Sequence, residues 1–62
     1  MLAGIKAGDL VQFSDTQWAI VWQVYWIEDD IVEVITDCGE GKYGLNGDSI
    51  TNKIDIIEVT NE

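Results

Sequence analysis

Apolar residues along this chain recur at strand spacing or run together, and nowhere at the 3.6-residue spacing of an amphipathic helix. The densest segment is Trp18-Ala19-Ile20-Val21-Trp22-Gln23-Val24-Tyr25-Trp26-Ile27, which carries every tryptophan of the sequence. Strand side chains alternate between faces. An unbroken strand therefore points Trp18, Ile20, Trp22, Val24 and Trp26 one way, and Ala19, Val21, Gln23, Tyr25 and Ile27 the other. Both faces are apolar. A small sheet with one wet face needs only one such side, so the surplus must be wrapped inside a barrel, covered by a partner or left exposed.

The remaining runs are shorter. Lys6-Ala7-Gly8-Asp9 reads as a turn and Asp9-Leu10-Val11-Gln12-Phe13 as a first strand. Ser14-Asp15-Thr16-Gln17 has the Ser and Gln spacing of a capping box, but no helical period follows, so a turn is expected. Glu28-Asp29-Asp30 closes a hairpin onto Ile31-Val32-Glu33-Val34-Ile35-Thr36, a strand rich in β-branched residues. Asp37-Cys38-Gly39-Glu40-Gly41 is the next turn. Asn46-Gly47 is the strongest two-residue hairpin signal and would set Tyr43 opposite Ile50; a tight turn over Asn46-Gly47-Asp48-Ser49 competes with it. Ile54-Asp55-Ile56-Ile57-Glu58-Val59 forms the last strand, and its double Ile signals a bulge or burial on both sides.

The register of the tryptophan strand stays open at this level. A three-residue loop at Glu28-Asp29-Asp30 sets Trp26 opposite Val32 and Val24 opposite Val34. A two-residue loop at Asp29-Asp30 pairs Ile27 with Val32 and Tyr25 with Val34. One residue of slip turns the whole strand over, and a bulge would let Val21 and Val24 both point inward.

Five or six short antiparallel strands with frequent turn signals predict an all-β chain, one domain over residues 1–62. Closing it into a small barrel removes sheet edges and buries both sides of long bent strands. Val11, Phe13, Val21, Val24, Val32, Val34, Ile56 and Val59 are the expected core. Two readings of the tryptophans stand side by side. In one, two indoles are mostly buried and the third caps a barrel end. In the other, at least one is exposed as an interface anchor. A barrel of this size lacks room for three indoles, Tyr25 and Phe13 beside its aliphatic residues, so some aromatic exposure is expected.

Composition narrows the function. Twelve acids face three lysines, Lys6, Lys42 and Lys53, with no arginine or histidine, and the net charge is −9. On a sphere of about 14 Å radius at physiological salt, that charge repels a unit negative charge by on the order of 1 kcal/mol. Each nucleic-acid phosphate meets this penalty with no arginine fork to offset it, so direct nucleic-acid binding is not expected. No run approaches the roughly 20 apolar residues of a spanning helix. Residues 1–8 have no long apolar core preceded by positive charge, so neither membrane insertion nor a secretory signal is expected. The single cysteine, Cys38, forms no internal disulfide, which suits a reducing cytoplasm.

The chain offers little to catalysis. It lacks histidine, the commonest acid-base group. Cys38 has no His or Arg to depress its pKa, and Ser14 and Ser49 have no triad-type base. One cysteine without histidine cannot hold zinc, and Glu28-Asp29-Asp30 sits in no Asp-x-Asp-x-Asp-Gly loop. The glycines serve turns and form no phosphate-binding motif. No enzymatic activity, metal or cofactor is expected.

The order of features resembles the SH3-like small β-barrels, including the KOW and Tudor branches. The pieces that carry it are Gly8-Asp9-Leu10-Val11 opening the first strand, Trp18-Ala19-Ile20-Val21, Val32-Glu33-Val34 followed by Asp37-Cys38-Gly39, and the closing run from Ile54 to Val59. The resemblance covers nearly the whole chain and implies a fold rather than an activity. Tudor domains often build a cage for methylated lysine or arginine from an aromatic pair before the second strand and an Asp-Tyr-Gly turn after the third. Here Trp18 matches the first aromatic, Ala19 follows without a second, and Cys38 occupies the Tyr place. Trp18, Tyr25, Trp26 and Tyr43 are the substitutes left for such a cage. KOW domains that touch RNA carry basic loops, and these loops are acidic.

The leading expectation is a non-catalytic module that binds a protein partner with a basic surface. Trp18, Tyr25, Trp26 and Tyr43 would serve as anchors, with Glu28, Asp29 and Asp30 supplying charge. Exposed aromatics also allow a homo-oligomer. Two alternatives stand beside it. The first is an acidic nucleic-acid mimic that blocks a DNA- or RNA-binding protein, through Asp15, Glu28, Asp29, Asp30, Glu33, Asp37, Glu40, Asp48, Asp55 and Glu58. The second is an aromatic-cage reader of methylated or cationic ligands. Acids in two rows would favour mimicry, a flat aromatic patch an interface, and a concave aromatic pocket a reader.

Overall fold

One long strand, bent by a bulge, organises the molecule. The computed structural model describes residues 1–51 and 54–60. Its strands are β1 (Leu10–Phe13), β2 (Trp18–Glu28), β3 (Ile31–Thr36), β4 (Gly39–Gly44) and β5 (Ile56–Thr60), with no helix among the described residues. They pair antiparallel as one open five-stranded sheet in the order β4-β3-β2-β1-β5. The all-β expectation of five or six strands holds, with five strands among the described residues. The ladder ends at β4 and β5. These end strands are tied through the chain between them: Ile56 N donates to Gly47 O at 2.9 Å, and Ile50 N to Lys42 O at 2.8 Å. Among the described residues no helix is long and apolar enough to cross a membrane.

The first part of β2 lies along β1, with Trp18 opposite Gln12, Ala19 opposite Val11 and Ile20 opposite Leu10. From Val21 onward its other edge lies along β3, and the register shifts between Val21 and Gln23, leaving Trp22 as the extra residue. A bulge of this kind bends a strand and raises its twist. It also resets the alternation, so Val21 and Val24 both face the core, as the bulged alternative foresaw. The hairpin to β3 combines features of both expected registers. Its turn is the two-residue Asp29-Asp30 between Glu28 and Ile31, yet Trp26 faces Val32 and Val24 faces Val34. A second bulge, at Ile27, reconciles them.

Two turns differ from expectation. The β3–β4 turn contains only Asp37 and Cys38, because Thr36 is already opposite Gly39. The buried Thr36 Oγ1 donates to Gly39 O at 2.8 Å and accepts from Cys38 N at 3.1 Å, which closes the hairpin early and leaves the glycine-rich segment free to pair as β4. After β4, Gly47 N donates to Gly44 O at 3.0 Å and Gly44 N to Asp48 O at 2.8 Å. This is the tight turn, and it places Tyr43 opposite Ser49 rather than Ile50.

The core contains Val11, Phe13, Val21, Val32, Val34 and Ile56, with Val24 and Val59 packed against it partly buried, so every expected core residue takes part. Ala19, Tyr43, Leu2 and Ile5 complete it. Leu2 and Ile5 enter from a segment before β1 that is pinned by Leu2 N donating to Leu45 O at 2.7 Å. The double Ile of β5 resolves as a bulge: Ile56 pairs with Phe13, Glu58 with Gln12, and Ile57 between them is exposed. Asp9 is 1% exposed. Its carboxylate accepts from Lys6 N at 3.0 Å and Lys6 Nζ at 2.7 Å, so the buried charge is met by a cation and a backbone donor.

Candidate functional site

The core closes without the tryptophans. Trp18 is 45% exposed, Trp22 60% and Trp26 43%, so the reading with two mostly buried indoles is not what the fold adopts. The inward positions of β2 are filled by Ala19 and Val21 before the first bulge and by Val24 after it. These small side chains leave no inward place for an indole along the middle of the strand.

Parity across the bulge decides where each aromatic residue goes. Before it, Trp18, Ile20 and Trp22 face outward, opposite in direction to buried Ala19 and Val21. After it, Tyr25 shares a row with Glu33 and Lys42 on the outer face, whereas Trp26 shares one with Val32 and Tyr43 on the core side. The three tryptophans thus do not point one way. Trp18, Ile20, Trp22 and Tyr25 form an exposed stripe along the outside of β2, flanked by half-buried Leu10 of β1. Tyr25 Oη donates to Gln23 Oε1 at 2.8 Å, which fixes one end of the stripe. Asp37 fixes the middle: Ile20 N donates to Asp37 Oδ1 at 3.0 Å, and Asp37 N to Ile20 O at 3.1 Å.

Tyr43 is not a surface anchor. It is 2% exposed and faces Val32 in the core, because the two-residue β3–β4 turn fixes its row to an inward one. Trp26, Glu28 and Asp29 lie elsewhere, beside a shallow, open depression at the hairpin end of the sheet. Asp30 lies exposed in the turn beside them. Trp22, the most exposed indole, is the anchor that reasoning from simple alternation leaves out. The available signal was the apolar run on both faces of β2, which hints at a bulge without locating it.

Several other acids act within the turns. Asp15 Oδ1 accepts from Gln17 N at 3.0 Å, and Asp55 Oδ1 accepts from Ser49 N at 2.7 Å. A cavity of about 280 Å³ lies where the cage comparison pointed, beside Cys38 and Gln17. The rings in its wall are Phe13 and Tyr43, both buried in the core, and Cys38 is an exposed free thiol. No family model, curated protein or solved structure matches the chain.

Proposed function

We propose that this chain is a non-catalytic protein-binding module whose five strands curl into an SH3-like barrel, and that it engages a protein with a basic surface. The barrel reading is supported by the bulge-bent β2, which gives one edge to β1 and the other to β3, and by the hydrogen bonds that tie Ile50 to Lys42 of β4 and Ile56 of β5 to Gly47. The exposed stripe of Trp18, Ile20, Trp22 and Tyr25 carries the functional reading, because it adds nothing that the core needs. Trp and Tyr at such positions supply most of the affinity of an interface, while surrounding carboxylates tune encounter rate and partner choice. A reducing cytoplasmic setting fits the exposed free thiol of Cys38.

Nucleic-acid mimicry is less well supported. Asp15, Asp37 and Asp55 are already hydrogen-bonded acceptors within the fold rather than freely presented charges. The test is quantitative capture from the native host with the wild-type chain and with Trp22→Ser and Trp18→Ser. A specific partner should be retained by the wild type and dissociate at least tenfold faster from the variants. A partner held equally well by all three would overturn the assignment of the stripe. A wild-type chain that sediments as a dimer and loses that dimer on Trp22→Ser would show that a second copy, not a basic partner, occupies it.

A further inference from the structure

The stripe of Trp18, Ile20, Trp22 and Tyr25 runs along the central strand of the sheet, on the face turned away from the core. Half-buried Leu10 of β1, opposite Ile20, and half-buried Ile35 of β3, opposite Gln23, widen the same face on either side. The apolar surface is therefore three strands wide, about 10 Å at the usual strand spacing, and about 20 Å long from Trp18 to Tyr25. Carboxylates surround it. The register puts Glu33 beside Tyr25, Glu40 beside Ile35, and Glu58 in the row of Gln12 and Trp18. Glu28 pairs with Ile31, one row beyond inward Trp26 and Val32, so it closes the Tyr25 end of this outer face. Lys42, in the row of Tyr25 and Glu33, is the one cation in these rows.

Area and charge select the occupant. The three rings are each about half exposed, and a ring buries about 150–250 Å² in full, so together they offer about 200–400 Å². A stable pair of proteins buries about 800 Å² on each side. A second copy would also bring the same carboxylates face to face, at a charge of −9 per chain. One segment of a larger protein fits the area, and cationic side chains at its margins pair with the acids. Backbone chemistry then decides its conformation. Strands add at a sheet edge, whereas this surface is made of side chains standing off the sheet. An extended segment laid on it would turn main-chain groups towards apolar rings without partners. A polyproline segment docks in an aromatic-lined groove, and neither the hairpin-end depression nor the cavity beside Cys38 is lined by a residue of the stripe. An α-helix satisfies its own backbone and is about 10–12 Å across, the width from β1 to β3. We propose that the outer face of β2 receives one amphipathic α-helix of the protein partner, about 14 residues long at a rise of about 1.5 Å per residue. Its apolar side covers the stripe, and its Lys or Arg residues flank that side over Glu33, Glu40 and Glu58. The inference rests on the protein-binding reading above and adds the form of the ligand.

The test is a titration of the intact chain, read by tryptophan fluorescence and by NMR amide shifts, with peptides of about 14 residues. One is a Leu/Lys peptide with leucine at helical spacing. Its controls are the isomer with leucine and lysine alternating, the helical peptide with glutamate for lysine, and a proline-rich peptide of the same charge. The helical Leu/Lys peptide should bind about tenfold tighter than any control and gain helix on binding, with shifts centred on residues 18–25, Leu10 and Ile35. Trp22→Ser should weaken it about tenfold. Glu33→Gln, Glu40→Gln and Glu58→Gln together should weaken it severalfold, with a dispersed spectrum reporting that each variant is folded. Equal or tighter binding of any control, shifts elsewhere on the molecule, binding untouched by Trp22→Ser, or no binding would overturn the inference. If Trp22→Ser abolishes partner capture while the helical peptide shows no preference, the form of the ligand is wrong and the protein-binding reading stands. If the preference holds while capture ignores Trp22→Ser, the helix-binding face stands and the function assigned to it does not.

Discussion

Gly47→Ala should be among the most damaging single-methyl substitutions in this chain, and the structure says why. Gly47 has φ +91°, and a Cβ added there would lie 2.1 Å from Ile56 O and 3.2 Å from Ile56 C, both backbone atoms. Positive φ alone costs an L-residue about 1–2 kcal/mol. Relieving the overlap means moving the Gly47–Ile56 approach, which carries the Ile56 N to Gly47 O bond of 2.9 Å. Such overpacking costs about 1–3 kcal/mol, and the bond about 1 kcal/mol. The sum is about 3–6 kcal/mol. Gly39 is the internal control, because its φ is also positive at +125° yet a Cβ there meets nothing within 4 Å. Gly39→Ala should therefore cost only the backbone term, about 1–2 kcal/mol.

Urea unfolding followed by tryptophan fluorescence separates the two. With a slope of about 1 kcal/mol/M for so small a domain, Gly39→Ala moves the midpoint by about 1–2 M and Gly47→Ala by about 3–6 M. A domain of this size has only about 3–9 kcal/mol to lose, so Gly47→Ala is measured in a stabilising osmolyte to give it a native baseline. Equal midpoints for the two variants would refute the close approach of Gly47 to β5.

Further outcomes follow from the same geometry. Val34→Ala, at a fully buried position facing Val24 and Gly41, should cost about 2–3 kcal/mol, and Trp22→Ser clearly less, both read from urea midpoints. At physiological salt the chain should show no micromolar binding to random duplex DNA or RNA in an anisotropy titration, because its charge of −9 repels phosphate. Neutralising Glu28, Asp29 and Asp30 together should slow association with a captured partner and flatten its salt dependence more than it speeds dissociation. Trp22→Ser should do the opposite, and stopped-flow rates at two salt concentrations distinguish them.

Most of the core was legible in the sequence because it is built from β-branched and aromatic residues at strand spacing: Val11, Phe13, Val21, Val32, Val34 and Ile56 are all buried. Leu2 and Ile5 were not, since two apolar residues around a glycine turn have no period to detect. Tyr43 shows how a turn decides a site. With five residues assigned to the β3–β4 turn, its orientation was undetermined; a two-residue turn between Thr36 and Gly39 sets Val34 opposite Gly41 and Val32 opposite Tyr43, and inward parity passes from β3 to the tyrosine.

The bulge at Trp22 acts on function through the same parity. Counting by twos from Trp18 puts Trp26 on the face of Trp18, whereas one inserted residue carries it to the other side of the sheet. Trp18 and Trp22 remain outside with Tyr25, and Trp26 lies near the hairpin end. A straight β2 would present one face with every indole on it and another with none. The bent strand divides the aromatics of one run of ten residues between two faces, Trp18, Trp22 and Tyr25 outside and Trp26 on the core side. Deleting Trp22 should therefore remove the anchor and the bend but turn no segment over, because Val21 and Gln23 already pair with the successive residues Thr36 and Ile35, and both Val21 and Val24 stay inward. Both the deletion and Trp22→Ser should unfold cooperatively, the deletion at the lower temperature because it also loses the bend; a deletion variant without a cooperative calorimetric transition would refute this register.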